Sequence, residues 1–339
     1  MNVLVLGKFL PYHNGHAALI NHAKNYGKVT VVIGPRWNEP VSCKKRVLWL
    51  TALNPGVRVV QVSHSLPSWP GSDPKSFWDQ WTAAINHVMP EGVDIVVSSE
   101  SYCEILARRL NAKNIFFDLG RTQVPVSGTE IRQNIFHAFD KIPPLVRQHF
   151  RRVVVVTGGE SVGKTTLIQT LAHRYPGLYT PVYEYGRKHM ADRHIKSFTP
   201  WDATRIAAMQ SLLVQDALLL PESNGIILSD TDALTTLVWA EMANLNPKGI
   251  DAVRRTAQAK VPHLTLLMPP TQEWANDGTR EWSSPEVREE FYIRLRNHMD
   301  NSTYRRPYVI IQSTWAAVAH DEIRRRIDNW HSGIARWTA

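Results

Sequence analysis

The chain has 339 residues, 43% hydrophobic and 20% charged, which is enough apolar side chain for two cores of roughly 150–190 residues each. That balance excludes a disordered or low-complexity chain, and no apolar run reaches the roughly 18 residues of a membrane span. The net charge of +9 is scattered in short clusters (Lys44–Arg46, Arg151–Arg152, Arg324–Arg326) rather than gathered on one face, so small phosphate-bearing partners explain it without nucleic acid.

The opening MNVLVLGKF is too short and lacks the basic run of a secretion leader. Cys43 and Cys103 are too few for a disulfide framework or a cysteine zinc site. Both features point to a cytoplasmic protein. The first block alternates strand-like runs at 3–7, 29–34, 57–62, 93–98 and 114–117 with helical stretches at 15–26, 43–53, 76–88, 100–110 and 128–138. A turn-rich loop spans 63–75. Pro143 and Pro144 mark the boundary, predicting domains 1–148 and 149–339. The second block has strands at 151–158, 225–230, 263–268 and 308–313, with helices at 163–174, 201–220, 231–244, 285–299 and 315–330. Strands alternating with crossover helices predict α/β architecture: two Rossmann-like parallel-sheet domains.

Strand one runs into Gly7-Lys8-Phe9-Leu10-Pro11-Tyr12-His13-Asn14-Gly15-His16. A strand, a Gly turn and a helix start bring backbone N–H groups and the positive helix end to one crevice, a setting for phosphate. His13 and His16, three apart, can donate to oxygens that gain charge, and Gly15 leaves room for close approach. Alone, such a pair reads equally as two helix-surface histidines. Later in the block, Ser127-Gly128-Thr129-Glu130-Ile131-Arg132 places hydroxyls and a guanidinium at another helix start. The two together, in this order, resemble the HxGH nucleotidyltransferase superfamily and its Ser-x-Thr-x-x-Arg motif.

Within that superfamily VPVSGTEIR and the basic stretch KKRVLWL are similar to nicotinamide mononucleotide (NMN) adenylyltransferases. The resemblance implies catalytic roles for His13, His16 and Arg132, with Gly7, Lys8, Phe9, Gly15, Arg46, Ser127 and Thr129 around ATP. Trp69, Trp78 and Trp81 offer planes for a cationic pyridinium ring, although tryptophans are more often core.

Residues 158–165, GGESVGKT, fit G-x-x-x-x-G-K-[ST] between a β-branched strand and a helix, the setting of a Walker A loop. Gly158, Gly159, Glu160, Ser161, Val162, Gly163 and Thr166 would cradle phosphates, Lys164 would reach the β/γ-phosphates, and Thr165 would ligate Mg²⁺. Asp230 ends the buried strand of GIILSDTD and Asp232 follows, the pair expected to hold the metal. In Tyr183-Glu184-Tyr185-Gly186-Arg187, Glu184 can take a proton from an acceptor hydroxyl and Arg187 can bind ribose or phosphate. In the polar turn 274–280, Asp277 is a candidate substrate-binding residue, and Arg280 fits a closing lid where it can stabilise charge on the transferring group.

This second set resembles the ribosylnicotinamide kinase domain of the NadR family, so the resemblance covers nearly the whole chain. It implies a bifunctional enzyme that phosphorylates nicotinamide riboside and then adenylylates NMN to NAD, with ATP as co-substrate and Mg²⁺ as cofactor. The enterobacterial helix-turn-helix domain has no counterpart before the first strand here, so no DNA partner is expected; nor is a membrane partner, while a homo-oligomer is left open. Two alternatives stay in view: an adenylyltransferase with another acceptor, such as pantetheine phosphate or a flavin nucleotide, and a nucleotide-sensing regulator with slow turnover.

Overall fold

The computed structural model describes residues 1–34, 39–64, 66–67, 72–193, 197–271, 284–312 and 315–335. The chain divides into two compact units, the first containing Met1–His149 and the second Phe150–Asn329.

The first unit runs β1 (Asn2–Gly7), α1 (Asn14–Lys24), β2 (Lys28–Ile33), α2 (Cys43–Leu53), β3 (Arg58–Gln61), α3 (Pro74–Val88), β4 (Ile95–Ser98), α4 (Cys103–Arg109), β5 (Lys113–Phe116), α5 (Gly128–Gln133) and α6 (Pro144–Phe150). Its five strands are parallel in the order β3-β2-β1-β4-β5, with Val3 opposite Val29 on one side and Ile95 on the other. The order reverses between β1 and β4, and the crevice at the carboxyl ends of such a pair is where open α/β sheets bind ligands. The predicted helix 128–138 ends at Gln133 instead, followed by a 3-10 turn over Phe139–Lys141. Asn134 accounts for the stop: its side-chain Oδ1 accepts from the His137 amide at 3.2 Å, closing a local turn that competes with the helix. On one sheet face Leu4, Val32 and Val96 pack with Trp78, Trp81, Ile85 and Leu106.

The second unit runs β6 (Arg152–Gly158), α7 (Lys164–Arg174), β7 (Tyr179–Val182), α8 (Tyr185–Arg193), α9 (Pro200–Leu219), β8 (Ile226–Asp230), α10 (Ala233–Met242), α11 (Asp251–Ala259), β9 (Leu264–Met268), α12 (Pro285–Asp300), β10 (Tyr308–Ile310) and α13 (Ala316–Ala335). These strands too are all parallel, in the order β10-β9-β6-β8-β7. The expectation of two parallel-sheet α/β domains is thus met. Strand β7 was absent from the sequence reading because YTPV contains Pro181, which cannot donate to a ladder; β7 is an edge strand, where proline is tolerated. Helices α9, α10 and α12 close over the sheet with Ala203, Leu234, Leu237, Val238, Phe291 and Leu295 buried among them.

Candidate active sites

In the first unit a cavity of about 340 Å³ opens where β1 and β4 diverge. Gly7, Lys8, Phe9, His13, Gly15, His16, Ser127, Thr129 and Arg132 all line it. The two imidazoles stack, centroids 3.7 Å apart, and Phe9 packs its ring 4.8 Å from that of His16. The His13 amide donates to His16 Nδ1 at 3.3 Å, so His16 carries its proton on Nε2 and can offer that N–H to a ligand. His13 Nδ1 is buried without a protein partner. Burial, reinforced by the charges of Arg121 and Arg132, pushes His13 down to about 4, and burial with His13 and Arg121 pushes His16 well below its ordinary value. Both rings are therefore neutral near pH 7 and bind as hydrogen-bonding groups, while the positive charge comes from the guanidiniums. Gly15 sits in tight space: a Cβ there would stand 3.1 Å from both the His13 ring and Val126 Cγ1, so either side chain would have to give way.

Ser127 caps α5, its Oγ accepting from the Glu130 amide at 3.0 Å. Arg132 is aimed by two bonds, to the Leu10 carbonyl at 2.6 Å and Thr129 Oγ1 at 3.0 Å, which tie α5 to the loop after β1. The sequence reading missed Tyr102, Asp118 and Arg121, which also line the cavity. The Asp118 carboxylate accepts from the amides of Thr122, Gln123 and Val124 at 2.7–3.0 Å, and so shapes the turn that presents Arg121. The turn residues of DLGRT were the available signal.

Three expectations place differently. Arg46 is fully buried, ion-paired with Glu39 and bonded to the Lys8 carbonyl at 2.5 Å. It braces the loop after β1 from behind and is not among the residues lining the cavity. Trp78 and Trp81 belong to the core under the sheet, on the buried face of α3, and Trp81 Nε1 donates to the Pro67 carbonyl at 2.9 Å. They are likewise not among the residues lining this cavity. Trp69 lies outside the described residues.

In the second unit a cavity of about 430 Å³ is lined by Glu160, Lys164, Glu184, Arg187, Thr231, Thr235 and Thr236 and by apolar residues that include Phe198, Ile206 and Trp239. The loop after β6 folds tightly because Gly158 has φ 150° and lies against Met268, whose carbonyl oxygen a Cβ would approach to 2.5 Å. Ser161 (φ 58°) and Gly163 (φ 86°) turn the loop into α7, with Val162 buried beneath it. Lys164 Nζ donates to the carbonyls of Gly159 at 2.8 Å and Gly158 at 3.2 Å, which holds the ammonium over the loop. Thr166 is exposed on the first turn of α7, away from the cavity wall.

Thr165 Oγ1 donates to Asp230 Oδ2 at 2.5 Å, and the other oxygen, Oδ1, is buried with no protein partner. A hydroxyl and a carboxylate with a spare oxygen suit a Mg²⁺ that takes its remaining ligands from phosphates and water. Among the described residues no group of three His, Cys, Asp or Glu side chains is placed to hold a metal unaided. Asp232 does not share this role. Its Oδ1 caps α10, accepting from the Leu234 and Thr235 amides at 3.1 Å, and its Oδ2 pairs with buried Arg306. The sequence placed it as a ligand because it stands two residues from Asp230; its oxygens are committed to the fold.

Glu184 receives a hydrogen bond from Arg187 Nε at 3.3 Å. Burial raises its carboxyl above the ordinary range; Lys164 opposes and Asp230 adds to the shift. A carboxylate so tuned, facing the lysine of a phosphate loop, is suited to accept a proton. Asp277 and Arg280 lie outside the described residues. Among the described residues no helix is long and apolar enough to cross a membrane.

A family model described as an AAA domain matches residues 153–317. The trifunctional NAD biosynthesis/regulator protein NadR of Escherichia coli (strain K12) is 26% identical, over 85% of this chain and 73% of its own, and so is the protein of the same name from Salmonella typhimurium (strain LT2). A crystal structure of NadR protein in complex with NR matches with a TM-score of 0.70 at 22% identity, covering 96% of each chain. One in complex with NAD and AMP-PNP matches with a TM-score of 0.69 at the same identity and coverage. The chain is homologous to NadR proteins.

Proposed function

We propose that this chain is a bifunctional enzyme of NAD salvage: the second unit phosphorylates nicotinamide riboside from ATP, and the first joins the resulting NMN to ATP, giving NAD and pyrophosphate. The observation that carries the reading is the pairing of the two cavities. One is lined by the HxGH and Ser-x-Thr-x-x-Arg residues, the other by Glu160 and Lys164 of the phosphate loop and by Glu184, in a chain homologous to NadR proteins.

In the kinase unit Glu184 takes the proton of the riboside 5′-hydroxyl as its oxygen attacks the γ-phosphorus of ATP in line, and ADP leaves. Lys164 and the loop amides hold the phosphates, while Thr165 and Asp230 would hold Mg²⁺, which supplies charge neutralisation there. The aromatic residues Trp239 and Phe198 in the cavity lining suit a pyridinium ring through cation–π attraction. In the adenylyltransferase unit the nucleophile is the phosphate of NMN, already anionic, so no general base is required. Its oxygen attacks the α-phosphorus and pyrophosphate leaves. Positioning by His13 and His16, with charge stabilisation by Arg132, is the chemistry the cavity offers.

An acceptor panel tests this. Purified protein with Mg-ATP is offered nicotinamide riboside, NMN, pantetheine phosphate and a flavin nucleotide, with products separated by chromatography. Turnover of the first two only is expected. Turnover of either of the others instead would reassign the first unit, and tight NAD binding without turnover would favour the nucleotide-sensing regulator.

A further inference from the structure

We propose that Gln210 is a positioning residue of the phosphoryl-transfer site: its buried amide holds Glu184 in register with Asp230. The inference rests on the kinase reading above. Gln210 sits in the middle of α9, buried where its helix otherwise presents Ala203, Ile206, Ala207 and Ala217 to the interior. A buried amide is costly unless its donors and acceptor are satisfied, and here all its bonds go to the two segments that build the site. Oε1 accepts from the Tyr185 amide at 2.8 Å; Nε2 donates to Ser229 Oγ at 3.0 Å and to the Asp230 carbonyl at 3.2 Å.

The partners dictate the orientation of the amide. A backbone N–H can only donate and a backbone carbonyl can only accept, so the oxygen must face Tyr185 and the nitrogen Asp230. Tyr185 is the residue after Glu184 and opens α8; Asp230 closes β8 and carries the metal-side carboxylate. One side chain thus bridges the acceptor side and the phosphate side of the reaction, between segments 45 positions apart in sequence. The bridge extends further: Ser229 Oγ donates to the Thr231 carbonyl at 2.8 Å, and Thr231 lines the cavity. On the other flank there is little slack, since a Cβ on Gly186 would stand 3.3 Å from Glu184 Oε1 and 3.5 Å from Ile206. An asparagine would fall one methylene short of both partners, and a leucine would leave the Tyr185 amide and Asp230 carbonyl facing apolar carbon.

The test is Gln210→Leu against wild type in full-length protein with Mg-ATP and nicotinamide riboside. Riboside phosphorylated (NMN plus NAD) and ADP formed are counted separately, since adenylylation releases pyrophosphate and no ADP. With Glu184 displaced from the phosphates, kcat for riboside phosphorylation should fall about ten- to hundredfold while the KM for ATP holds, the scale expected of a small misplacement. The number of ribosides phosphorylated per ADP formed should fall with it. Gln210→Glu, of the same size and still accepting from Tyr185, should show the same uncoupling in smaller measure, and decides the matter if the leucine variant does not fold. Unchanged coupling in both variants would overturn the proposal, because a merely structural role lowers both products in proportion. A wild-type protein that binds AMP-PNP but leaves the riboside untouched would instead overturn the kinase reading beneath it.

Discussion

Thr165 Oγ1 and Asp230 Oδ2 meet at 2.5 Å, joining the phosphate loop to the end of β8 across 65 residues of sequence. The neighbouring carboxylate, Asp232, turns away to cap α10 and to pair with Arg306. Of two aspartates in one short motif, one keeps a buried carboxylate oxygen without a protein partner and the other has both oxygens engaged by the fold.

Substitution separates them. Asp230→Asn should abolish riboside phosphorylation while leaving the urea midpoint near that of wild type, because Oδ1 has no protein partner to lose. Asp232→Ala strands the buried Arg306 guanidinium and uncaps a helix, so it should cost about 3 kcal/mol or more in unfolding free energy. Equal loss of stability in the two variants would contradict this division.

The two active sites should be independently removable. His16→Ala should lower NMN adenylylation at least about a hundredfold, on the scale of losing one charge-stabilising donor, and leave riboside phosphorylation intact. Lys164→Ala should do the reverse. Separate assays with NMN and with the riboside read both, and loss of both activities in either variant would undo the two-site account.

Glu184→Gln should reduce kcat for riboside phosphorylation by about 10²- to 10⁴-fold, the range of general-base contributions. It should also remove the acidic limb of the pH–rate profile. Because burial holds this carboxyl above the ordinary range, the wild-type limb should lie at higher pH than a free glutamate would give. A profile unchanged by the substitution would assign the proton to another group.

Acid should destabilise the unliganded protein through its buried imidazoles. His13 is held down at about 4 against an unfolded value of 6.5, and its neighbour His16 is held well below that value, both chiefly by burial. Between those limits the unfolded chain binds protons that the folded one refuses, so stability rises with pH from 4 to 6.5 and is lost on acidification. The His13 ring accounts for about 3 kcal/mol over that span. Urea unfolding at pH 7 and pH 5 should show the drop, and His13→Asn, which cannot titrate, should remove part of it.

Much of this was legible before the fold was known, for physical reasons that differ by element. His13, Gly15 and His16 act within one helical turn, so their spacing alone brings them together. The β-branched run before GGESVGKT announces both a buried strand and its phosphate loop. What stayed hidden depends on contacts distant in sequence. Asp232 finds Arg306 74 positions later. Arg46 finds Glu39 and the Lys8 carbonyl, which turns a basic helix residue inward. Trp78 and Trp81 looked like stacking platforms, but α3 lies with that face on the sheet. The wall formed by Phe198 and Trp239 comes from a connection and a helix that the parallel sheet alone brings side by side.

The most direct test of the central claim is a time course with wild-type protein, Mg-ATP and nicotinamide riboside as the only pyridine. Two sites acting in series predict that NMN rises first and then falls as NAD and pyrophosphate accumulate. NMN that accumulates without NAD, or a riboside that is never consumed, would contradict it.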